Sequence, residues 1–202
     1  YAMASGLTSP AQIVQLRDHH RSFGDIIEFS NAEFYDGRLR VATNYDRLRC
    51  PRNVEAGIRW VNVVGKTTRP PAGGAYNDAE AAAIVKEIRR LVTDNGYTGT
   101  VGVVTPFRAQ AERIRAAIER SLELVSALAK NDFLVDTVHK FQGDERDLMF
   151  FWPVISHGTP QGALGFLKNT GNLFNVAITR ARAVLVVVGD FSYCLKCAVP
   201  YM

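Results

Sequence analysis

The stretch NVAITRARAVLVVVG, Asn175–Gly189, decides the fold. Its first half, Asn175–Arg182, reads as a helix carrying Arg180 and Arg182. Its second half contains Val184–Val188, an unbroken apolar run rich in β-branched side chains. A run without polar alternation suits a strand covered on both faces, as happens in parallel sheets flanked by helices.

Outward from that unit the same alternation recurs. Further strands are expected at Trp60–Val64, Val101–Thr105, Leu134–Val138 and Leu148–Trp152, each short and apolar. From Asp78 onward, Ala81, Ile84, Val85, Ile88, Leu91 and Val92 share one helical face. From Phe107 onward, Ile114, Ala117, Ile118, Leu122, Val125 and Leu128 do the same. That spacing predicts one helix, with Thr105 as N-cap and Pro106 at the first helical position. A further helix is expected over Asp25–Phe34. Lys66–Asn77, with two prolines and two glycines, and His157–Asn172, with four glycines, read as loops. The second is expected on the surface near a functional edge. Strands alternating with amphipathic helices predict an α/β fold with a parallel sheet.

Composition narrows the class. The 202 residues are 47% hydrophobic and 22% charged, enough for one domain with a full core. The longest apolar runs, around Leu148–Ile155 and Ala183–Val188, fall far short of a membrane span. Tyr1–Ser5 is set aside as an appended leader, and no secretion signal is expected. Three cysteines cannot form a disulfide framework, which points to a cytoplasmic protein. Cys194 and Cys197 make a lone CxxC, read as ordinary thiols rather than a metal site. The net charge of +4 permits a polyanionic partner without requiring one.

GKTT at Gly65–Thr68 imitates the end of a phosphate-binding P-loop. The glycine such a loop needs five positions earlier is replaced by Trp60, in an expected strand, and the segment runs on into Arg69, Pro70 and Pro71. Without a helix N-terminus after it, the segment reads as a strand end and a loop.

Four segments carry chemistry: His19–Leu39 (HHRSFGDIIEFSNAEFYDGRL), Thr105–Gln110 (TPFRAQ), Thr137–Glu145 (TVHKFQGDE) and Asn175–Arg182 (NVAITRAR). Each joins an apolar element to a cluster of Arg, Gln, His, Thr or Gly. Arginine offers a fixed fork of donors that matches phosphate oxygens and stays protonated. Arg180 and Arg182, two apart on a helix, point in different directions, so only one need serve a given site. Loops after parallel strands collect at the C-terminal edge of the sheet, where open α/β sheets bind ligands, and Thr105 and Thr137 are expected there.

In this order, the four segments resemble the motifs of the C-terminal RecA-like lobe of superfamily 1 helicases. The branch is the one containing the nonsense-mediated-decay RNA helicase and the Okazaki-fragment nuclease-helicase. FQG and NVAITRAR are the most specific of the motifs, and the likeness runs from about His19 to Asp190. It implies a RecA-like three-layer sandwich, with a mostly parallel central sheet and helices on both faces. The domain is placed at 19–192, with 1–18 as a lead-in and 193–202 as a tail.

The resemblance also implies roles. Arg21 matches an arginine that reaches the ATP γ-phosphate, and Arg180 matches the arginine finger. His20 stands where many members stack a tyrosine on adenine, which implies weaker base selectivity. Gln142, Gly143 and Glu145 match the loop that couples nucleotide state to the track. Thr105, Pro106, Gln110, Thr137 and His139 correspond to positions near the nucleic-acid backbone, with Lys140 beside them. ATP with Mg²⁺ is expected to be bound mainly by a first lobe preceding Tyr1, because neither a Walker A nor a Mg²⁺-binding carboxylate is recognised here. The chain by itself is then expected not to hydrolyse ATP. The expected partners are that N-terminal lobe and single-stranded nucleic acid, DNA ahead of RNA, with no membrane and no metal site of its own. The function expected is the second motor lobe of an ATP-dependent helicase or translocase, with 5′→3′ polarity implied. The alternative is a non-catalytic helicase-like module that docks nucleic acid or a protein. A Rossmann-type dinucleotide enzyme is excluded by the missing G-x-G-x-x-G.

Overall fold

A computed structural model describes residues 16–141, 143–197 and 199. Five parallel strands form the central sheet: β3 (Gly57–Asn62), β4 (Val101–Thr105), β5 (Leu134–Thr137), β6 (Arg146–Phe151) and β7 (Ala181–Gly189). Their order across the sheet is β3-β7-β6-β4-β5. Two short strands, β1 (Asp18–His19) and β2 (Arg40–Val41), pair in parallel beside it.

The unbroken apolar strands feed two cores, since successive side chains leave opposite faces. Val103, Phe150, Val184 and Val186 enter the larger core. It is closed by α2 (Asp78–Ile88), α3 (Arg108–Glu119), α4 (Leu122–Leu128), α5 (Gln161–Asn169) and α7 (Phe191–Cys197). Val104, Phe151, Leu185 and Val187 enter the smaller core, under α1 (Gly24–Tyr35) and α6 (Gly171–Ile178). Helices therefore cover both faces, the three-layer arrangement expected of a RecA-like fold.

Several boundaries differ from the sequence expectations, each for a local reason. The first strand runs over Gly57–Asn62 rather than Trp60–Val64, because it pairs along β7 from Val184 to Gly189 and leaves Val64 exposed. The helix expected from Phe107 to Leu128 breaks after Glu119. There Ser121 accepts from Leu124 N–H at 3.4 Å and starts α4 as a fresh N-cap. Pro106 does not begin α3, since Thr105 still belongs to β4 and Phe107 is extended at the N-cap. Arg182 is not helical but is the second residue of β7. The glycine-rich His157–Asn172 stretch contains α5, whose Ala163 and Leu167 are buried. Residues assigned to a tail from 193 onward begin inside α7, with Cys194 in the larger core. Among the described residues no helix is long and apolar enough to cross a membrane.

Candidate functional site: an arginine cluster and a polar edge

The chemistry-bearing segments do not gather at one sheet edge. The arginines lie at the N-terminal ends of β6 and β7, whereas Thr105 and Thr137 end β4 and β5 on the opposite side. The topology explains the split. TVHKFQGDE leaves the C-terminal end of β5 and returns to the start of β6, so its two ends serve different edges.

At the N-terminal edge, Glu145 is the hub. Arg21 Nε forms an ion pair with Glu145 Oε2, and Arg182 Nε lies 3.8 Å from Glu145 Oε1. Arg182 also pairs with Asp147 at 3.6 Å. Arg21 Nη1 donates to Thr179 O at 3.5 Å, next to Arg180. Arg180 turns back over its own helix end, donating to Val176 O at 3.3 Å and to Asp144 O at 3.4 Å. Burial and the Arg21 charge push the Arg180 guanidinium down from its ordinary value, while Glu145 and Asp144 oppose that shift. Two guanidiniums thus pair with one half-exposed carboxylate, and a third lies at the adjoining helix end. An anion displacing or joining Glu145 would meet donors already in place.

Beside this hub lies a cleft of about 180 Å³, lined by His20, Arg21, Thr43, Asn44, Arg47 and Arg182 among others. His20 Nδ1 donates to Ala42 O at 3.2 Å, which fixes the exposed imidazole at the cleft wall. His19 serves the turn instead: its Nε2 accepts from Ser22 N–H at 2.9 Å. Burial, then the charges of Arg21 and His20, hold its pKa below the usual value. Arg47 was not singled out in the sequence, and Arg182 was read only beside Arg180 on a helix, with no role of its own. Arg47 lies in a short 3₁₀ turn that packs here only through the tertiary fold.

The predicted nucleotide residues His20, Arg21, Glu145 and Arg180 are therefore brought together. Gly143 is exposed at φ +98° in the segment leading to Glu145. Gln142 lies outside the described residues.

At the C-terminal edge the picture is mixed. Thr105 is fully buried, and its Oγ1 accepts from Phe107 N–H at 3.4 Å. Gln110 corrects the sequence expectation of a backbone contact. Its amide is fully buried, accepting from Asn77 N–H at 2.8 Å and donating to Asn77 O at 3.2 Å. Both ends of the side chain are thereby consumed in holding a loop. Pro106 and Thr137 are half-buried. Thr137 N–H is capped by Asp136 Oδ1 at 2.7 Å. His139 is exposed and lines a 440 Å³ groove together with Asn169, Thr170 and Asn172.

GKTT is not a phosphate cradle in the structure. The amide of Thr67 donates to His157 O at 2.8 Å and that of Thr68 to Tyr76 O at 2.8 Å, so neither is free for an anion. The next helix opens only at Asp78.

A family profile described as an AAA domain matches residues 2–192. Helicase sen1 of Schizosaccharomyces pombe is 31% identical over 188 residues, 89% of this chain and 11% of that protein. The putative helicase mov-10-B.1 of Danio rerio is 30% identical, over 88% of this chain and 19% of its own length. The DNA polymerase alpha-associated DNA helicase A of Saccharomyces cerevisiae is 29% identical, over 93% and 29% respectively. The chain thus spans less than a third of each of these relatives. Among solved structures, the C-terminal domain of a possible DNA helicase from Lactobacillus plantarum aligns over 89% of this chain, at a TM-score of 0.45 and 12% identity.

Proposed function

Because the chain belongs to the AAA-domain family of superfamily 1 helicase C-terminal lobes, we propose that it is the second motor lobe of an ATP-dependent nucleic-acid translocase. On this reading it supplies the arginine finger and part of a single-strand track. The observation that carries the reading is the pairing of Arg21 and Arg182 with Glu145, with Arg180 held at the adjoining helix end, beside the cleft of His20 and Arg47. Fixed, partly desolvated guanidiniums suit a site where negative charge builds up on a phosphoryl group.

The donor set fits a nucleoside triphosphate, which would supply the transferable phosphoryl group. Arg21 and Arg180 would hold its terminal phosphate, and His20 would lie against the base. Mg²⁺ and the remaining phosphates would be held by a first lobe. Arg21 must leave Glu145 to do this, so lobe closure exchanges one ion pair for another. Loss of the terminal phosphate returns Arg21 to Glu145 and releases the closed state. Thr137 and His139, on the other edge, would hold the strand through its backbone, without reading sequence.

The test is ATP hydrolysis by the full-length protein with Arg180→Ala, with and without single-stranded DNA and RNA. An arginine finger is worth about 10³–10⁵ in rate. A loss of that order, with nucleic-acid binding retained, is expected. Unchanged stimulated hydrolysis in a folded variant would sink the motor reading.

A further inference from the structure

The segment that imitates a P-loop is a built feature with no role so far. Thr68 and Tyr76 exchange backbone hydrogen bonds, and Gly73 N–H donates to Pro70 O at 3.0 Å, so residues 66–77 form a small hairpin. Its base is fixed in the protein interior. Thr67 is buried, with Oγ1 2.7 Å from Ser156 Oγ and accepting from Thr159 Oγ1 at 3.2 Å. Asn77 closes the other strand through Ser156 and Gln110. Its tip leans on the polar edge: a Cβ on Gly74 would lie 3.8 Å from the ring of Phe107, the residue after Pro106.

What the hairpin presents is positive. Lys66 and Arg69 are exposed, and neither side chain has an ion pair or hydrogen-bond partner among the described residues. Lys66 lies beside exposed His157, its stem along Gly158. Arg113 covers the Tyr76 ring at 4.2 Å and is tied to Asp78, which leaves the hairpin's own cations unneutralised. A rigid base, a tip beside Phe107 and two cations unpaired among the described residues describe a surface for a phosphodiester backbone.

We propose that the 66–77 hairpin extends the single-strand track beyond Pro106 and His139, with Lys66 and Arg69 each contacting a backbone phosphate. This rests on the motor-lobe reading, because it needs a strand along that edge. Contacts of this kind add to affinity and salt dependence and are indifferent to sequence.

The experiment uses the full-length protein and fluorescent oligo-dT and oligo-U 20-mers, titrated from 50 to 300 mM salt. Two single-strand phosphate contacts contribute about 1.4 to the log–log salt slope, and about fivefold each in affinity at 0.1 M salt. K66A/R69A is expected to lose that slope and about 25-fold in affinity, while hydrolysis without nucleic acid stays unchanged. R120A/K130A removes the same charge from exposed sites at the far ends of α3 and α4 and is expected to leave binding intact. If K66A/R69A binds like the parent protein, or if R120A/K130A weakens binding equally, the hairpin is no part of the track. If the parent protein binds neither oligomer, the track reading itself falls, and the hairpin with it. A loss on one oligomer only would name the polymer that lies there.

Discussion

Glu80→Gln should remove most of a pH dependence that is built into the fold. Glu80 stands in the first turn of α2, fully buried. Trp152 Nε1 donates to its Oε2, while Oε1 has no partner. Burial pushes its carboxyl from 4.5 up to about 8; the Asp190 charge adds to this and the Trp152 hydrogen bond opposes it. Between those values the folded protein keeps a proton that the unfolded chain has released. Stability from this group is therefore complete below pH 4.5 and is lost as pH rises through 8. At about 1.4 kcal/mol per pH unit, the loss between pH 4.5 and 7 is about 3 kcal/mol. Glutamine keeps an acceptor for Trp152 and carries no charge. The Glu80→Gln protein should gain stability over the parent with a slope near 1.4 kcal/mol per unit, reaching a few kcal/mol by pH 8. Urea unfolding followed by tryptophan fluorescence at pH 5, 6, 7 and 8 measures the difference directly. A difference that stays constant across that range would mean Glu80 is ionised in the fold despite its burial.

Further outcomes follow from the same geometry. Gln110→Ala should lower stability by about 1–3 kcal/mol, because it orphans the buried main-chain N–H of Asn77, whose carbonyl keeps only the Ala81 N–H. A drop in nucleic-acid affinity at unchanged melting temperature would show instead that Gln110 meets the ligand. His19 should titrate below its ordinary 6.5, so its contribution is present above that pH and is lost as the solution is acidified. An NMR midpoint at or above 6.5 contradicts this. Gly143→Ala meets no neighbouring atom but forces a side chain to φ +98°, a local strain of about 1–2 kcal/mol. Nucleic-acid stimulation of hydrolysis should fall while the unstimulated rate persists; equal effects on both would make Gly143 merely structural.

Much of this was legible in the sequence, and the misses have physical causes. Val101–Thr105 was readable to the residue, because four of its five residues are β-branched and such a run has few alternatives. Arg146 and Asp147 hid the start of β6, since charged residues argue against a buried strand. Arg146 is accommodated because its guanidinium donates to Asp132 O and Glu145 O, and Asp147 because Thr100 caps its carboxylate. The break at Ser121 was a cap signal outweighed by an apolar stripe that continues in phase through Leu128. Gln110 looked like a ligand because a polar residue beside a strand end is ambiguous until its partner is known. That partner, Asn77, lies 33 residues away. Which edge held the arginines could not be read at all, because it depends on strand order and on where each segment crosses the sheet.

That crossing gives the candidate site its logic. Thr137 belongs to the polar edge and Glu145 to the arginine cluster, and one short segment joins them. The segment is not slack: Lys140 and Phe141 N–H both donate to Thr137 O, and the Phe141 ring is fully buried against Val104, Phe151 and Ile178. Beyond Phe141, Asp144 N–H turns back onto Phe141 O, and only then does the chain reach Glu145. A shift of Glu145 as Arg21 leaves it would therefore be carried to an anchored turn, with Gly143 as the one intervening described residue whose backbone favours glycine. If a strand lies along Thr137 and His139, its position and the Arg21–Glu145 pair are linked through a covalent path rather than across the width of the core. In that arrangement the two edges need no separate signalling element, because the same eight or so peptide units that hold the track also hold the carboxylate the arginines compete for.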